Sequence, residues 1–519
     1  MAANGEVSVS PRQTADPLES TPSGSRIARW APVATIVVLA AVAARQPLWR
    51  DELATLSFAR LDVGDLADAV RHVDVVLLPY YLLSHVCVAV LGEWALRVPS
   101  IVAAAAVVGL VGTVARREWG ERAGLAAAWA VALNPLAVTM GSTARPYALA
   151  TAGVASAALL VQSALVTGGR LRWFGYATVV AATAFAHVFA ILAALPTGLW
   201  ALRARRRRKV ATVASLAGAL LVVLPFALVA AGQRGQVAWI RVDGVRGAVG
   251  ALASLVLYRS DNSARVPELL ALALLTGAVV LALVARTRVE LVRTLPATCA
   301  ATGIAVVPWG LLLVASWVAS PLLRTTYLAP SVVGLGLLVG LVWGTPPRTR
   351  TRHRRTAAVV ASALVVAMGA VVVGQLLRAP WRVDDFAGAV GAVARSARVG
   401  DTMVVVQLEN EVGVASGVAR ASGDEAYDDE LERALPAGEQ PVVDVRRITS
   451  VSPLRSVEDD GSADAVDGAG RAWFVYTRGA LDDAARDLVA AEGLDCGPLE
   501  EDAGARHGLL VVAPARCGG

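Results

Sequence analysis

Asp51 and Glu52 stand side by side in PLWRDELAT (47–55), directly after an uncharged run, 31–44. A carboxylate can accept a proton from a hydroxyl or hold a divalent cation. It can also simply favour the start of a helix, where the dipole stabilises negative charge. Further polar residues follow: the acid Asp74, the aromatic pair Tyr80-Tyr81, His85, and Arg97 in LRVPS (96–100). Later stretches supply Arg145 and Tyr147 in ARPYAL (144–149), and Arg324 in SPLLRTTYL (320–328). A guanidinium binds carboxylate or phosphate through paired donors. Each of these residues also has a plainer reading. Arg145, Tyr147 and Arg97 suit helix ends at a membrane boundary, Tyr80 and Tyr81 are ordinary interfacial aromatics, and His85 lies on an apolar stripe where a packed histidine is common.

What must position these side chains is set by composition. Of 519 residues, 56% are hydrophobic and 17% charged, and mean hydropathy is +0.57, outside the range of soluble domains. The chain reads as a polytopic α-helical membrane protein. Its net charge of +6 does not point to nucleic acid, because the basic residues fall in short clusters between apolar runs, such as RARRRRK (203–209) and RTRTRHRR (348–355). Such clusters mark cytoplasmic loops.

Residues 1–27, rich in Ser, Pro, Thr and Gly, read as a disordered cytoplasmic tail, and no cleavage site follows the first apolar run. Stretches near the length of a bilayer crossing, about 20 residues, fall at 28–44, 97–115, 123–140, 146–167, 210–231, 266–285, 294–318, 326–343 and 357–377. Residues 173–202 read as two tight helices turning near His187. The run 77–92 is placed in the interface, so that every arginine cluster lies on one side. About eleven crossings result, within a membrane domain spanning 28–378. The N-terminus is expected in the cytoplasm, the C-terminus outside, and 45–96 as the first extracytoplasmic loop of a multi-pass protein of the plasma membrane.

The tail 379–519 holds 26 of the chain's 42 acidic residues, as an exported domain can while cytoplasmic loops keep the arginines. An amphipathic helix in APWRVDDFAGAVGAVARSARVGD and strand-like runs TMVVVQ, AWFVYT and HGLLVVAP predict a small α/β domain. Cys496 and Cys517 are its only cysteines, and in an oxidising compartment they are expected to form a disulfide. The acidic loop SVEDDGSADAVDGAG lacks the terminal Glu of a twelve-residue calcium loop.

Taken in order, LWRDE, VDVVLLPYYLLSHV, GEWALRVPS, NPLAVTMGSTARPYAL, SPLLRTTYLAPSVVGLGLL and WRVDDFAGAV resemble the membrane glycosyltransferases of the GT-C superfamily. The resemblance is to family 39-like members, and within them the actinobacterial mannosyltransferases. It covers nearly the whole chain after the N-terminal tail. One departure stands out: where such proteins have Arg-Tyr, this chain has Thr326-Tyr327, with Arg324 nearby.

The resemblance implies an inverting hexosyltransferase of the cell envelope. Such an enzyme takes a sugar, mannose by family analogy, from a polyprenyl-phosphate carrier and gives it to an exported protein, glycan or lipid. It implies Asp51 as base, with Glu52 beside it in the catalytic pair. Glu52 and Asp74 would orient the acceptor or hold a divalent cation, with Tyr80, Tyr81 and His85 near the sugar. Arg145 with Tyr147, Arg97 and Arg324 would face the donor phosphate. Two rivals stand beside this reading: a transporter or flippase, and an inactive relative whose exported domain binds. Against the first, no paired repeat of broken spans is visible, and the charges lie at the rim rather than at the midplane.

Overall fold

A bilayer core offers no water to backbone polar groups, so an apolar chain must satisfy them internally, as helices do. The computed structural model describes residues 22–46, 48–72, 74–202, 206–234, 240, 242, 244–258, 265–319, 321–344, 351–377, 392, 402–409, 444–451, 472–477, 505–507 and 510–515. The first helices are α1 (Pro22–Arg45), α2 (Arg50–Arg60), α3 (Val63–His72) and α4 (Leu78–Leu91). The next are α5 (Val98–Trp119), α6 (Glu121–Ala132), α7 (Pro135–Gly141) and α8 (Tyr147–Thr167). Then come α9 (Arg170–Ala186), α10 (Ile191–Leu202), α11 (Arg206–Gly232) and α12 (Gly244–Ala253). The last are α13 (Val266–Val284), α14 (Arg288–Val318), α15 (Ser331–Trp343) and α16 (Thr351–Leu377).

Among the described residues six helices are long and apolar enough to cross a membrane: α5, α8, α11, α13, α14 and α16, or the greater part of each. The pair α6 and α7, bent by 61°, makes a seventh if it is one span. Its break follows from Asn134-Pro135, since proline disfavours a helical residue before it. The Asn134 side chain then caps α7 by accepting from Ala137 N at 3.0 Å. The protein is multi-pass, with six or seven full-length spans among the described residues where sequence leads to an expectation of eleven crossings. Residues of α1, α10 and α15 form apolar helices of 10–17 residues.

The centre is occupied by α15, whose residues Ser331–Val342 are all buried. It packs against α5, α6 and α14. Small residues make that approach possible: a Cβ on Gly334 would lie 2.5 Å from Ala301 O, and one on Gly340 would lie 3.0 Å from Ala123 O.

The first loop forms its own layer over one end of this bundle. The amphipathic segment 51–73 divides into α2 and α3 because Asp62 Oδ1 accepts from Gly64 N at 2.8 Å and Asp65 N at 3.0 Å. Phe58, Leu66, Ala69, Val70, Leu77 and Tyr81 form a small separate core. Helix α4 packs on α2, while Leu82, Val86 and Val90 stay exposed.

In the tail the described residues form one five-stranded sheet: β1 (Thr402–Glu409), β2 (Asp444–Val451), β3 (Ala472–Thr477), β4 (Ala505–His507) and β5 (Leu510–Ala515), in the order β2-β1-β3-β5-β4. β1 pairs in parallel with β2 and β3, with Thr402 opposite Asp444 and Ala472. β5 runs antiparallel to β3 and β4. Trp473 of β3 is buried. The amphipathic helix expected at the start of the tail, the acidic loop, Cys496 and Cys517 lie outside the described residues.

Candidate active site

The two neighbouring carboxylates lead different lives. Glu52 is fully buried. It accepts from Arg97 Nε through Oε1 and from Arg97 Nη2 through Oε2, both at 2.7 Å. Its Oε1 also accepts from Ala144 N at 2.7 Å, and its Oε2 from Trp49 N at 3.5 Å. Arg97, itself buried, donates through Nη1 to Ala43 O at 2.5 Å and Gln46 O at 2.8 Å. One bidentate pair therefore joins the end of α1, the start of α2, the start of α5 and the turn after α7. Removing either partner would leave a charge in an apolar interior. Acceptor and phosphate contacts were expected of Glu52 and Arg97, and the structure gives both residues to each other and to the backbone.

Asp51, one residue earlier, points the other way. Its Oδ2 lies 3.5 Å from Arg145 Nη2, and its side chain is 29% exposed against 14% for Arg145. Arg145 Nε is buried without a hydrogen-bond partner. The Arg145 backbone is held by a relay in which Ser100 Oγ donates to Arg145 O at 3.0 Å and lies 3.0 Å from the Tyr80 hydroxyl. Thr55, one turn past Asp51, donates from Oγ1 to Asp51 O at 2.8 Å and Ala144 O at 3.2 Å. Asp51 and Arg145 thus sit on a braced frame with bonding capacity left over.

Asp74 completes the group. It is the one non-glycine residue with positive φ (56°) among the described residues, a backbone state that favours Asn and Asp yet is uncommon. Strain of this kind concentrates at functional sites. Its Oδ2 accepts from the Tyr81 hydroxyl at 3.0 Å. Burial pushes its carboxyl above the ordinary range, opposed by the nearby Arg145 charge and the Tyr81 hydroxyl and assisted by Asp51.

Gln233, at the end of α11, holds the backbone on both sides of Asp74. Its Oε1 accepts from Val75 N at 2.8 Å, and its Nε2 donates to Val70 O at 3.0 Å and Arg71 O at 3.2 Å. No sequence signal singled it out, because a glutamine at a helix end carries no pattern that reveals a partner 158 residues away.

Tyr80, Tyr81 and His85, expected near the sugar, each have a partner within the protein. Tyr80 and Tyr81 are fully buried, Tyr81 stacks on Phe58 with ring centroids 4.5 Å apart, and His85 Nδ1 lies 3.0 Å from Ala59 O. They fix α4 to α2. A second aromatic group does gather beside Arg145: the His187 ring centroid is 5.3 Å from that of Tyr147, 5.1 Å from Tyr327 and 5.7 Å from Phe189. His187 occupies the turn after α9, where burial, then the charge of Arg145, push it down to about 4. Arg324 precedes the 3-10 turn Thr325–Leu328 that carries Tyr327. The Oγ1 of Thr326 is buried there without a partner.

Among the described residues no three His, Cys, Asp or Glu side chains gather as a metal site needs. Of the pair expected to share a cation, Glu52 is bound to Arg97, while Asp74 is coupled to Arg145 and Asp51.

The family model of dolichyl-phosphate-mannose-protein mannosyltransferases matches residues 76–231. The crystal structure of ArnT from Cupriavidus metallidurans bound to undecaprenyl phosphate is similar, with a TM-score of 0.53 at 14% identity, over 95% of this chain and 98% of that one. The same protein in the apo state gives 0.52 at 13% identity with the same coverage. The chain has the fold of the GT-C membrane glycosyltransferases. No curated protein matches it. Within this GT-C fold the stretch matched by the family model includes Arg97, Arg145, Tyr147 and His187, but begins after Asp51 and Asp74 and ends before Gln233 and Arg324.

Proposed function

We propose that the protein transfers a sugar from a polyprenyl-phosphate carrier to an exported acceptor at the outer face of the plasma membrane, with inversion at the anomeric carbon. The observation that carries this reading is the half-buried pair of Asp51 and Arg145, with an unpartnered guanidinium nitrogen and a strained second carboxylate beside it. A carrier of this kind keeps its chain in the bilayer and its phosphate at the interface, and the site lies where helix ends meet the first loop. The likeness to ArnT, whose structure holds undecaprenyl phosphate, supports a lipid-linked donor. The mannosyltransferase family model favours mannose.

Asp51 takes the proton of the acceptor hydroxyl as that oxygen bonds to the anomeric carbon. The bond from that carbon to the phosphate oxygen breaks on the opposite side, and polyprenyl phosphate leaves as an anion. Arg145 faces the developing phosphate charge with donors already in place, which costs no reorganisation. Asp74 orients the acceptor, and Tyr147, His187, Phe189 and Tyr327 form an aromatic wall for the sugar. Arg324 and Arg145 both act electrostatically on Tyr327, and Arg324 is assigned to the phosphate beside Arg145. Glu52 and Arg97 hold the frame. With this orientation the N-terminus is cytoplasmic and the sheet domain outside.

Purified protein in vesicles, supplied with polyprenyl-phosphate mannose and an acceptor extract, should release free polyprenyl phosphate in step with labelled acceptor. Uptake or flipping of the labelled donor without release would replace this reading with transport.

A further inference from the structure

At the end of the bundle opposite Asp51 and Arg145 lies a second polar feature. Helix α5 carries Arg97 just before its start and Arg117 in its last turn; its 22 residues span about 33 Å, the thickness of a bilayer core. The last turns of α5 and α8 and the first turn of α9 enclose an open pocket of about 440 Å³, lined by Arg117, Glu118, Gln162, Ser163, Thr167 and Arg172 among others.

The pocket presents charged groups of both signs that form no ion pair among the described residues. Arg117 Nη1 donates to Ser163 Oγ at 3.0 Å, and Arg172 Nη1 to Gly168 O at 3.1 Å. Neither arginine makes an ion pair with the Glu118 carboxylate, whose side-chain partner is the Gln162 amide, Nε2 to Oε1 at 2.8 Å. Gln162 is 3% exposed; its Nε2 also reaches Val114 O at 3.1 Å, and its Oε1 is buried with no partner. Two cationic donors wait for an anion, and a carboxylate beside an orphan amide oxygen waits for a donor. Beside the pocket Val166, Leu171 and Phe174 are 76%, 81% and 70% exposed, an apolar wall suited to acyl chains.

We propose that this pocket binds a membrane phospholipid whose head group carries both a phosphate and a primary ammonium. The phosphate lies between Arg117 and Arg172, which offer forked donors, and the ammonium meets Glu118. A head group with phosphate alone satisfies the arginines but leaves the partly buried carboxylate uncompensated and repelled. A quaternary ammonium brings charge without an N–H to donate.

Native mass spectrometry of the full-length, delipidated protein in detergent tests this, using phosphatidylethanolamine, phosphatidylglycerol and phosphatidylcholine of identical chains at equal concentration. The first should be retained on the order of tenfold more than the other two, a difference of about 1.4 kcal/mol. The double variant Arg117→Gln, Arg172→Gln should lose that retention. Glu118→Gln, which still accepts from Gln162, should bind phosphatidylethanolamine and phosphatidylglycerol alike, with the melting temperature of the wild type. Equal retention of phosphatidylglycerol by the wild type, or an unchanged preference in Glu118→Gln, would overturn the assignment. Displacement of the lipid by chain-free phosphoethanolamine would give the pocket to a soluble phosphate ester instead.

Discussion

Adjacent residues, Asp51 and Glu52, each meet an arginine, and the two pairs are built to opposite ends. Glu52 and Arg97 form two 2.7 Å hydrogen bonds, with side chains 0% and 9% exposed. Asp51 and Arg145 approach only to 3.5 Å, are partly open to solvent, and leave Arg145 Nε unpartnered. A closed pair joins elements, while an open pair beside strained backbone keeps its charge available to something that arrives. On the proposed function, the difference assigns Glu52 to the scaffold and Asp51 to the chemistry.

The contrast breaks most visibly through the closed pair. Glu52→Ala or Arg97→Ala strands a buried charge and should cost about 3–5 kcal/mol of stability, seen as a large drop in melting temperature in detergent. If either variant melts like the wild type yet loses activity, the closed pair belongs to the chemistry after all. For the open pair the expected loss falls on catalysis: Arg145→Ala should remove about 2–4 kcal/mol of transition-state stabilisation from donor kcat/KM, with melting nearly unchanged. Arg145→Lys should recover only part of this, because an ammonium cannot form the fork.

Two smaller effects sharpen the same boundary. Gln233→Ala deletes the clamp around Asp74 and should cost about 1 kcal/mol, with kcat falling several-fold more than KM rises. Equal loss in both would make Gln233 a binding contact. Asp74→Asn should show the smallest change in stability, and its sign is fixed. A carboxyl raised in the native state binds its proton more tightly there than when unfolded. Stability is therefore gained as pH falls through the window between the ordinary carboxylate value and the raised one, and the cost is present in full above it. Asparagine tolerates the same backbone state and removes the titration. The variant should then melt at or above the wild type at neutral pH, and should lack the wild type's gain on mild acidification.

Much of the bundle was readable in sequence, because each apolar run has the length a bilayer imposes: 146–167 and 266–285 return as α8 and α13 with ends moved by about a residue. The turn near His187 was likewise visible, since 173–202 is too long for one crossing. The number of full-length spans was not, because α10 and α15 are short and find burial inside the protein. In the tail β1, β3 and β5 were marked by apolar runs, while β2, DVRRITSV, was missed. It lies at the sheet's edge, where charged residues are common. At the site, residue types offer candidates, and only three-dimensional pairing divides them by what they touch. Nothing in RDEL says which carboxylate turns inward, and the aromatic group joining Tyr147, His187, Phe189 and Tyr327 draws on segments 180 residues apart.

Whether Asp51 is the base and Glu52 the frame is decided by Asp51→Asn in purified protein reconstituted with lipid-linked donor. Asparagine keeps the size and still suits the start of α2, so the fold, the melting temperature and donor binding should persist. Transfer should slow by about a hundredfold or more, the scale of losing a general base. Wild-type transfer by that variant would remove Asp51 from the chemistry and leave it as the polar start of an interfacial helix.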